Sequence, residues 1–151
     1  MNIQDLLKIL GDNRLMETQE QVMKFEAALE LLANHPQAAE HLRELHLVLD
    51  DKTQHGEVMY GVIHLLESFS AEQQLLAFVD TLPTLTAQAL EWVKTLTYGI
   101  LNDDHARNIY KRVFLSSTGT SRSLMQSLLM EMLREEQPPL SDHAREVLSV
   151  A

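Results

Sequence analysis

The stretch that decides the fold class is TQHGEVMYGVIHLLESF, residues 53–69. Its apolar side chains recur at spacings of three and four residues, which places them on one face of an α-helix. The inward-facing positions are Val58, Val62, Leu65, Leu66 and Phe69. A half-buried strand would instead alternate apolar and polar residues with a period of two. We therefore predict an amphipathic helix over residues 53–69.

The same helical spacing continues along the chain on both sides of this stretch. The predicted helices lie at about residues 3–10, 18–32, 36–49, 53–69, 70–80, 83–101, 103–115, 120–136 and 141–150. Because only a few residues join each helix to the next, consecutive helices should pack as antiparallel neighbours. The sequence thus predicts one all-α domain over residues 1–151, with eight or nine short antiparallel helices in a bundle or in an irregular stack of helical pairs.

Several of these helix boundaries depend on capping chemistry. Thr18 and Ser70 are each followed three residues later by glutamine, which is a capping-box pattern typical of a helix start. Pro83 favours the first turn of a helix, where its missing N–H is tolerated. Asn102 is expected to cap the helix that follows it.

Charge is distributed unevenly along the chain. There are 22 acidic and 12 basic residues, giving a formal net charge of −10. Residues 1–104 hold 17 acids and 6 bases, whereas residues 105–151 hold 5 acids and 6 bases. An acidic field repels phosphate backbones and attracts basic proteins, although it also serves solubility alone. We therefore expect no nucleic-acid partner.

The sequence also bears on the compartment. It contains no cysteine, which fits a reducing environment and removes disulfides and thiolate metal sites. The N-terminus lacks a basic region followed by an apolar stretch, and the longest unbroken apolar run is Leu75–Val79. We expect a cytoplasmic protein that does not associate with membranes.

Motifs of catalysis and of cofactor binding are missing from the sequence. None of the five glycines forms a phosphate-binding loop or a dinucleotide fingerprint. His55, Glu57 and His64 include two possible metal-ligand types, but they lack the His-Glu-x-x-His spacing. We therefore predict no catalytic residues, no cofactor and no metal.

Two polar stripes oppose the apolar faces of their predicted helices. The first contains Glu57, Tyr60, His64 and Glu67, and the second contains Glu91, Lys94, Tyr98 and Asn102. The first stripe is compatible with a general acid–base group, a protein-binding surface or an ordinary solvated face. Tyr60 and Tyr98 are compatible with a protein-binding surface, since tyrosine is enriched in interfaces, but the residues alone leave all three interpretations open. Trp92 lies in the apolar register and is predicted to be a core residue.

Part of the sequence resembles the immunity protein 30 family of bacterial toxin systems. The similar elements are His55-Gly56-Glu57 through Leu66-Glu67, then Leu82-Pro83, Glu91-Trp92 and Ile100-Leu101-Asn102. The resemblance implies an immunity factor of a polymorphic-toxin or contact-dependent-inhibition system. Such a factor would bind its cognate toxin and block the toxin's active site or the approach of substrate. Toxins of this kind are often nucleases, whose basic surfaces would attract an acidic partner.

The leading hypothesis is an immunity protein that neutralises a cognate, basic toxin domain by tight stoichiometric binding. The rival hypotheses are a helical-repeat scaffold or adaptor without a toxin partner, and an all-α enzyme that uses Glu57, His64 and Glu67. The residues predicted to contact the toxin are Asp50, Asp51, Glu57, Tyr60, His64, Glu67, Tyr98 and Asn102.

Overall fold

A computed structural model describes residues 1–150, and all regular structure in that range is helical. Its α-helices are α1 (Ile3–Asp12), α2 (Gln19–Ala33), α3 (Leu42–His46), α4 (Gly56–Glu67), α5 (Ala71–Gln88), α6 (Leu90–Leu101), α7 (Asp104–Ser116), α8 (Gly119–Glu135) and α9 (Leu140–Leu148). A 3₁₀ turn, Ala38–His41, precedes α3. The all-α prediction is therefore confirmed. Over the same 150 residues, no helix is both long enough and apolar enough to cross a membrane.

Side-chain caps set the start of several helices, as the sequence indicates. The hydroxyl of Thr18 accepts a hydrogen bond from the N–H of Gln21 at 3.1 Å, and Ser70 caps α5 in the same way. The predicted cap of α7 is wrong by one residue. Asp103 accepts from the N–H of Ala106 at 2.9 Å, because its backbone is extended, whereas Asn102 is still helical and ends α6.

Helix α5 runs through the centre of the fold. It packs against α3, α4, α6, α7 and α8. Leu75, Phe78, Leu82 and Leu85 are completely buried along it. Each buried side chain of this size contributes about 1.5–3 kcal/mol relative to an exposed one. The position of α5 therefore fixes how the surrounding helices are placed.

The predicted break between residues 80 and 83 is wrong, because α5 continues through Pro83. Proline cannot donate to the carbonyl four residues earlier, which here belongs to Val79. The hydroxyl of Ser121, in α8, donates to that carbonyl instead, at 3.0 Å. The chain breaks later, at Ala89, where the backbone leaves the helical region with φ −146° and ψ 42°. A tertiary contact thus replaces the hydrogen bond that proline removes.

The segment between α3 and α4, residues 47–55, is tied to the end of α5. The side-chain amide of Gln88 donates to the carbonyls of Leu47 and Leu49 at 2.9 and 3.0 Å. The backbone carbonyl of Gln88 accepts from the N–H of Asp51 at 3.0 Å. These three bonds hold the entrance to α4 beside the start of α6.

Ion pairs join α7 to α9 in the C-terminal part of the fold. The buried guanidinium of Arg107 contacts Glu146 at 2.7 Å and Asp104 at 2.7 Å. Lys111 also reaches Glu146, at 2.8 Å. Hydrogen bonds from Lys111 and Arg107 lower the pKa of the Glu146 carboxyl. The network keeps α9 packed against α7 and α6.

Candidate functional site

Helix α4 presents the first polar stripe to solvent. Glu57, Tyr60, His64 and Glu67 are all exposed, and the buried residues of the helix lie on its other side. This arrangement follows directly from the helical spacing of the sequence. The residues on this face can be reached by another molecule without any change in the fold.

Three aromatic rings meet where this face approaches α6. The ring of Tyr60 lies edge-on to that of His64, with centroids 5.0 Å apart, and edge-on to that of Trp92, at 6.0 Å. Trp92 is half-buried rather than fully in the core as predicted, and its indole N–H donates to the carbonyl of Asp50 at 3.2 Å. The contacts fix Tyr60, which is 41% exposed, in an outward-facing position.

Asp51 holds the start of α6 against the entrance to α4. Its carboxylate accepts hydrogen bonds from the N–H groups of Glu91 at 3.1 Å and Trp92 at 3.4 Å. Both belong to the first turn of α6, where unpaired N–H groups and the helix dipole favour a negative charge. Asp51 therefore positions Trp92 beside Tyr60, and its side chain remains exposed.

Asp50 has a different environment from its neighbour. It is only 5% exposed, and its carboxylate pairs with the guanidinium of Arg14 at 3.1 Å. The same carboxylate accepts from the backbone N–H of Lys52 at 2.9 Å. Asp50 thus joins residues 47–55 to the connection between α1 and α2, and it lies behind the exposed face.

Glu57 and Glu67 lie at opposite ends of α4. Hydrogen bonds from the backbone N–H of Glu57 and from the His55 ring, 3.1 Å away, lower the pKa of the Glu57 carboxyl. Glu67 lies beside Gly99 of α6, where a Cβ would come within 3.1 Å of its Oε2 atom. The missing side chain at Gly99 leaves room for this carboxylate between the two helices.

The second polar stripe is not part of this face. The hydroxyl of Tyr98 donates to Glu136 at 3.0 Å. Partial burial raises the pKa of Tyr98, and the hydrogen bond to the Glu136 carboxylate raises it further. Lys94 pairs with Glu131 of α8 at 3.2 Å. Asn102 is exposed at the end of α6. Of the predicted contact residues, contacts connect Tyr60 with His64 and, through Trp92, with Asp51, while Glu57 and Glu67 lie on the same exposed side of α4. We call these five residues and Trp92 the α4–α6 face.

The sequence was compared with models of known protein families. The model described as Immunity protein 30 matches residues 12–110, which are 99 of the 151 residues. The chain belongs to the immunity protein 30 family. The matched range contains all of α2 to α6, including the whole α4–α6 face, while α8 and α9 lie beyond it. No curated protein and no solved structure matches the chain significantly.

This family member also carries a groove that the sequence analysis missed. A depression of about 610 Å³ separates α2 from α4, and we call it the α2–α4 groove. Its lining consists of Glu26, Leu29, Glu30, Ala33, Glu57, Val58, Gly61, His64, Leu65 and Ser68. Glu26, Glu30 and Ala33 share one side of α2, because their offsets are 0, 4 and 7. This spacing is the only pattern in α2 that could have indicated the groove. These residues line a groove only because α2 packs beside α4, and helical periodicity does not predict which helices pack together.

The three residues of the enzyme hypothesis do not converge on one cavity. Glu57 and His64 line the α2–α4 groove, whereas Glu67 lines a separate pocket of about 300 Å³ between the end of α4, the start of α5, α6 and the start of α7. Within residues 1–150, no three His, Asp or Glu side chains are grouped closely enough to hold a metal ion. What the arrangement offers chemically is a set of fixed aromatic and acidic groups on an open surface.

Proposed function

We propose that this chain neutralises a cognate toxin domain by tight one-to-one binding and that the α4–α6 face contacts the toxin. Membership of the immunity protein 30 family supports the first half of the proposal. The outward-facing Tyr60, braced by His64 and Trp92, is the observation that supports the second half. The active site of the toxin, or the path of its substrate, would be covered in the complex.

The aromatic cluster has the physical properties of a binding hot spot. Tyrosine and tryptophan are enriched among the few residues that supply most of the affinity of an interface. Ordering a free side chain on binding costs free energy, about 0.5–1.5 kcal/mol for a rotamer-rich one. Because Tyr60 already packs against two rings, it loses less conformational entropy when a partner covers it.

The acidic charge suits a basic toxin, such as a nuclease. The net charge is −10, and Glu57 and Glu67 carry exposed carboxylates on the proposed contact surface. Complementary charge accelerates association and penalises partners with the wrong charge. Asp51 contributes by holding α6, and Asp50 contributes from behind the face. Tyr98, which is bonded to Glu136, and Asn102 lie outside the α4–α6 face, and their contact with the toxin stays a prediction.

The first test is to co-express the chain with the C-terminal domain encoded by the adjacent upstream reading frame. A one-to-one complex and protection of the host from that domain are expected. Glu57→Lys with Glu67→Lys should weaken the complex and abolish protection, and Tyr60→Ala should weaken binding by about 30-fold or more, the scale of a hot-spot truncation. Affinity is measured by titration calorimetry, and folding by circular dichroism.

A matched control keeps the charge argument specific. Glu72→Lys with Glu135→Lys makes the same change in net charge at two exposed positions, in α5 and α8, that do not belong to the α4–α6 face. The control should bind nearly as well as the wild type. Unchanged affinity in the Glu57/Glu67 variant would refute the assignment of the surface. Capture of many unrelated proteins, with no stable toxin complex, would favour the scaffold function instead.

A further inference from the structure

The α2–α4 groove combines an apolar floor with an acidic rim. Half-buried Leu29 and Val58 form part of the floor, while Glu26, Glu30 and Glu57 stand exposed along the edges. Lysine and arginine do not occur among the lining residues. Within residues 1–150, no basic side chain forms an ion pair with Glu26 or Glu30. The carboxylates of Glu26 and Glu30 therefore stand at the edge of the apolar groove without an ion-pair partner from the chain itself.

The floor exists because α2 and α4 approach closely at one point. A Cβ at Gly61 would lie 2.8 Å from the Cδ2 atom of Leu29, which is closer than such atoms come in folded proteins. Any side chain at this position would therefore displace the end of the Leu29 side chain, which lies in the floor of the groove. The lining on this side of the groove begins at Glu57 of α4 and ends at Ser68, the residue after the helix. At a rise of 1.5 Å per residue, this lining extends for about 16 Å, or three helical turns.

We propose that the α2–α4 groove receives an amphipathic helix of the toxin, with apolar residues on the floor and lysine or arginine side chains opposite Glu26 and Glu30. The inference rests on the proposed function, because it takes the toxin as the partner. It goes beyond that function by naming an adjoining contact surface, which shares Glu57 and His64 with the α4–α6 face, and the chemistry of the segment that fills it.

A helix fits this groove better than an extended segment does. The walls are helices, whose backbone N–H and C=O groups are already paired, so they offer no edge on which a strand could be added. A helix satisfies its own backbone groups and brings only side chains into the groove. The buried residues of the incoming helix would recur at spacings of three and four. About three turns of that helix would fill the length of the groove.

The spacing of the rim carboxylates specifies the charge pattern of the incoming helix. Glu26 and Glu30 are four residues apart, so they project from the same side of α2 about 6 Å from each other. Two basic residues separated by four positions on the toxin helix would meet them in register. A toxin helix with acidic or uncharged residues at these positions would leave both carboxylates partly desolvated without a counter-charge, which is unfavourable.

The test uses the full chain and the toxin domain from the co-expression experiment. Glu26→Lys with Glu30→Lys should weaken the complex at least about 30-fold, on the scale of lost close charge pairs, while the Glu72/Glu135 control stays within about threefold. Ala33→Trp, a change at an exposed position that adds bulk to the groove, should weaken the complex comparably. Thermal unfolding monitors the fold of each variant.

A carbodiimide, which couples carboxylates directly to amines, identifies the toxin segment by mass spectrometry. We expect Glu26 or Glu30 to be linked to toxin lysines that recur every three or four residues. The inference is overturned if the Glu26/Glu30 variant or Ala33→Trp binds like the wild type, or if the control loses as much affinity. If a tight complex forms but one of these contrary results is obtained, only the groove is ruled out, and the α4–α6 face stays a proposal. If no complex forms at all, the proposed function and the groove are both refuted.

Discussion

Acidification from pH 7.5 to pH 5.0 should destabilise this protein through one buried histidine, His46. Its ring is completely buried and stacks near Phe78, with centroids 5.9 Å apart. One ring nitrogen lies 2.7 Å from the carbonyl of Leu42, and the other lies 3.1 Å from the amide nitrogen of Gln74. The neutral ring with its proton on Nδ1 satisfies both contacts, since Nδ1–H donates to the carbonyl and Nε2 accepts from the amide.

The size of the effect follows from the burial of the ring. Removal from water lowers the pKa of His46 from 6.5 to about 4, despite the opposing contribution of the Leu42 carbonyl. Between these two values the unfolded chain binds the extra proton, so the free energy of unfolding falls as the pH falls. The full loss, reached below pH 4, is about 3 kcal/mol, and about 2 kcal/mol of it is lost by pH 5.0.

Urea unfolding at the two pH values measures this loss. Other groups also titrate, so the wild type is compared with His46→Leu combined with Gln74→Met, which removes both polar partners and retains apolar side chains of similar size. The double variant should lose about 2 kcal/mol less than the wild type between pH 7.5 and 5.0. Equal losses in the two proteins would refute the reasoning, as would an NMR titration of His46 with a midpoint near 6.5.

Three further substitutions test the contacts that place the helices. Ser121→Ala should leave the carbonyl of Val79 unpaired and lower the free energy of unfolding by about 1 kcal/mol, measured with urea. Asp51→Ala should cost about 1 kcal/mol by removing the cap of α6, whereas Asp51→Asn should restore most of it. Gly61→Val should cost about 1–3 kcal/mol, because its side chain would displace the Cδ2 atom of Leu29; an unchanged melting temperature would show that the Leu29 side chain rotates away without cost.

The sequence predicted the features that depend on residues close together in the chain. The caps at Thr18 and Ser70 act on N–H groups three residues away, so their patterns were sufficient. Asn102 was misassigned because two adjacent residues could both act as caps, and only the backbone angles distinguish them. Pro83 was misassigned because the hydroxyl that compensates for it comes from Ser121, far away in the sequence.

The exposed face of α4 was likewise encoded locally. Helical geometry alone places Glu57, Tyr60, His64 and Glu67 on one side, so periodicity predicted that these residues share a surface. That they contact a toxin stays a prediction. The burial of Asp50 against Arg14, in contrast, depends on residues 36 positions apart. No local pattern distinguishes it from the exposed Asp51.

By itself, the sequence determined the all-α class, most helix starts and the polar face of α4, since hydrogen bonds and side-chain periodicity within a helix involve near neighbours. Only the tertiary structure decided that Trp92 lies beside Tyr60, that Tyr98 turns toward Glu136, and that α2 and α4 enclose a groove. The physical reason is that helix pairing depends on how the buried faces fit together in three dimensions. Many pairings satisfy the same apolar pattern, and the close packing of the whole core selects one of them.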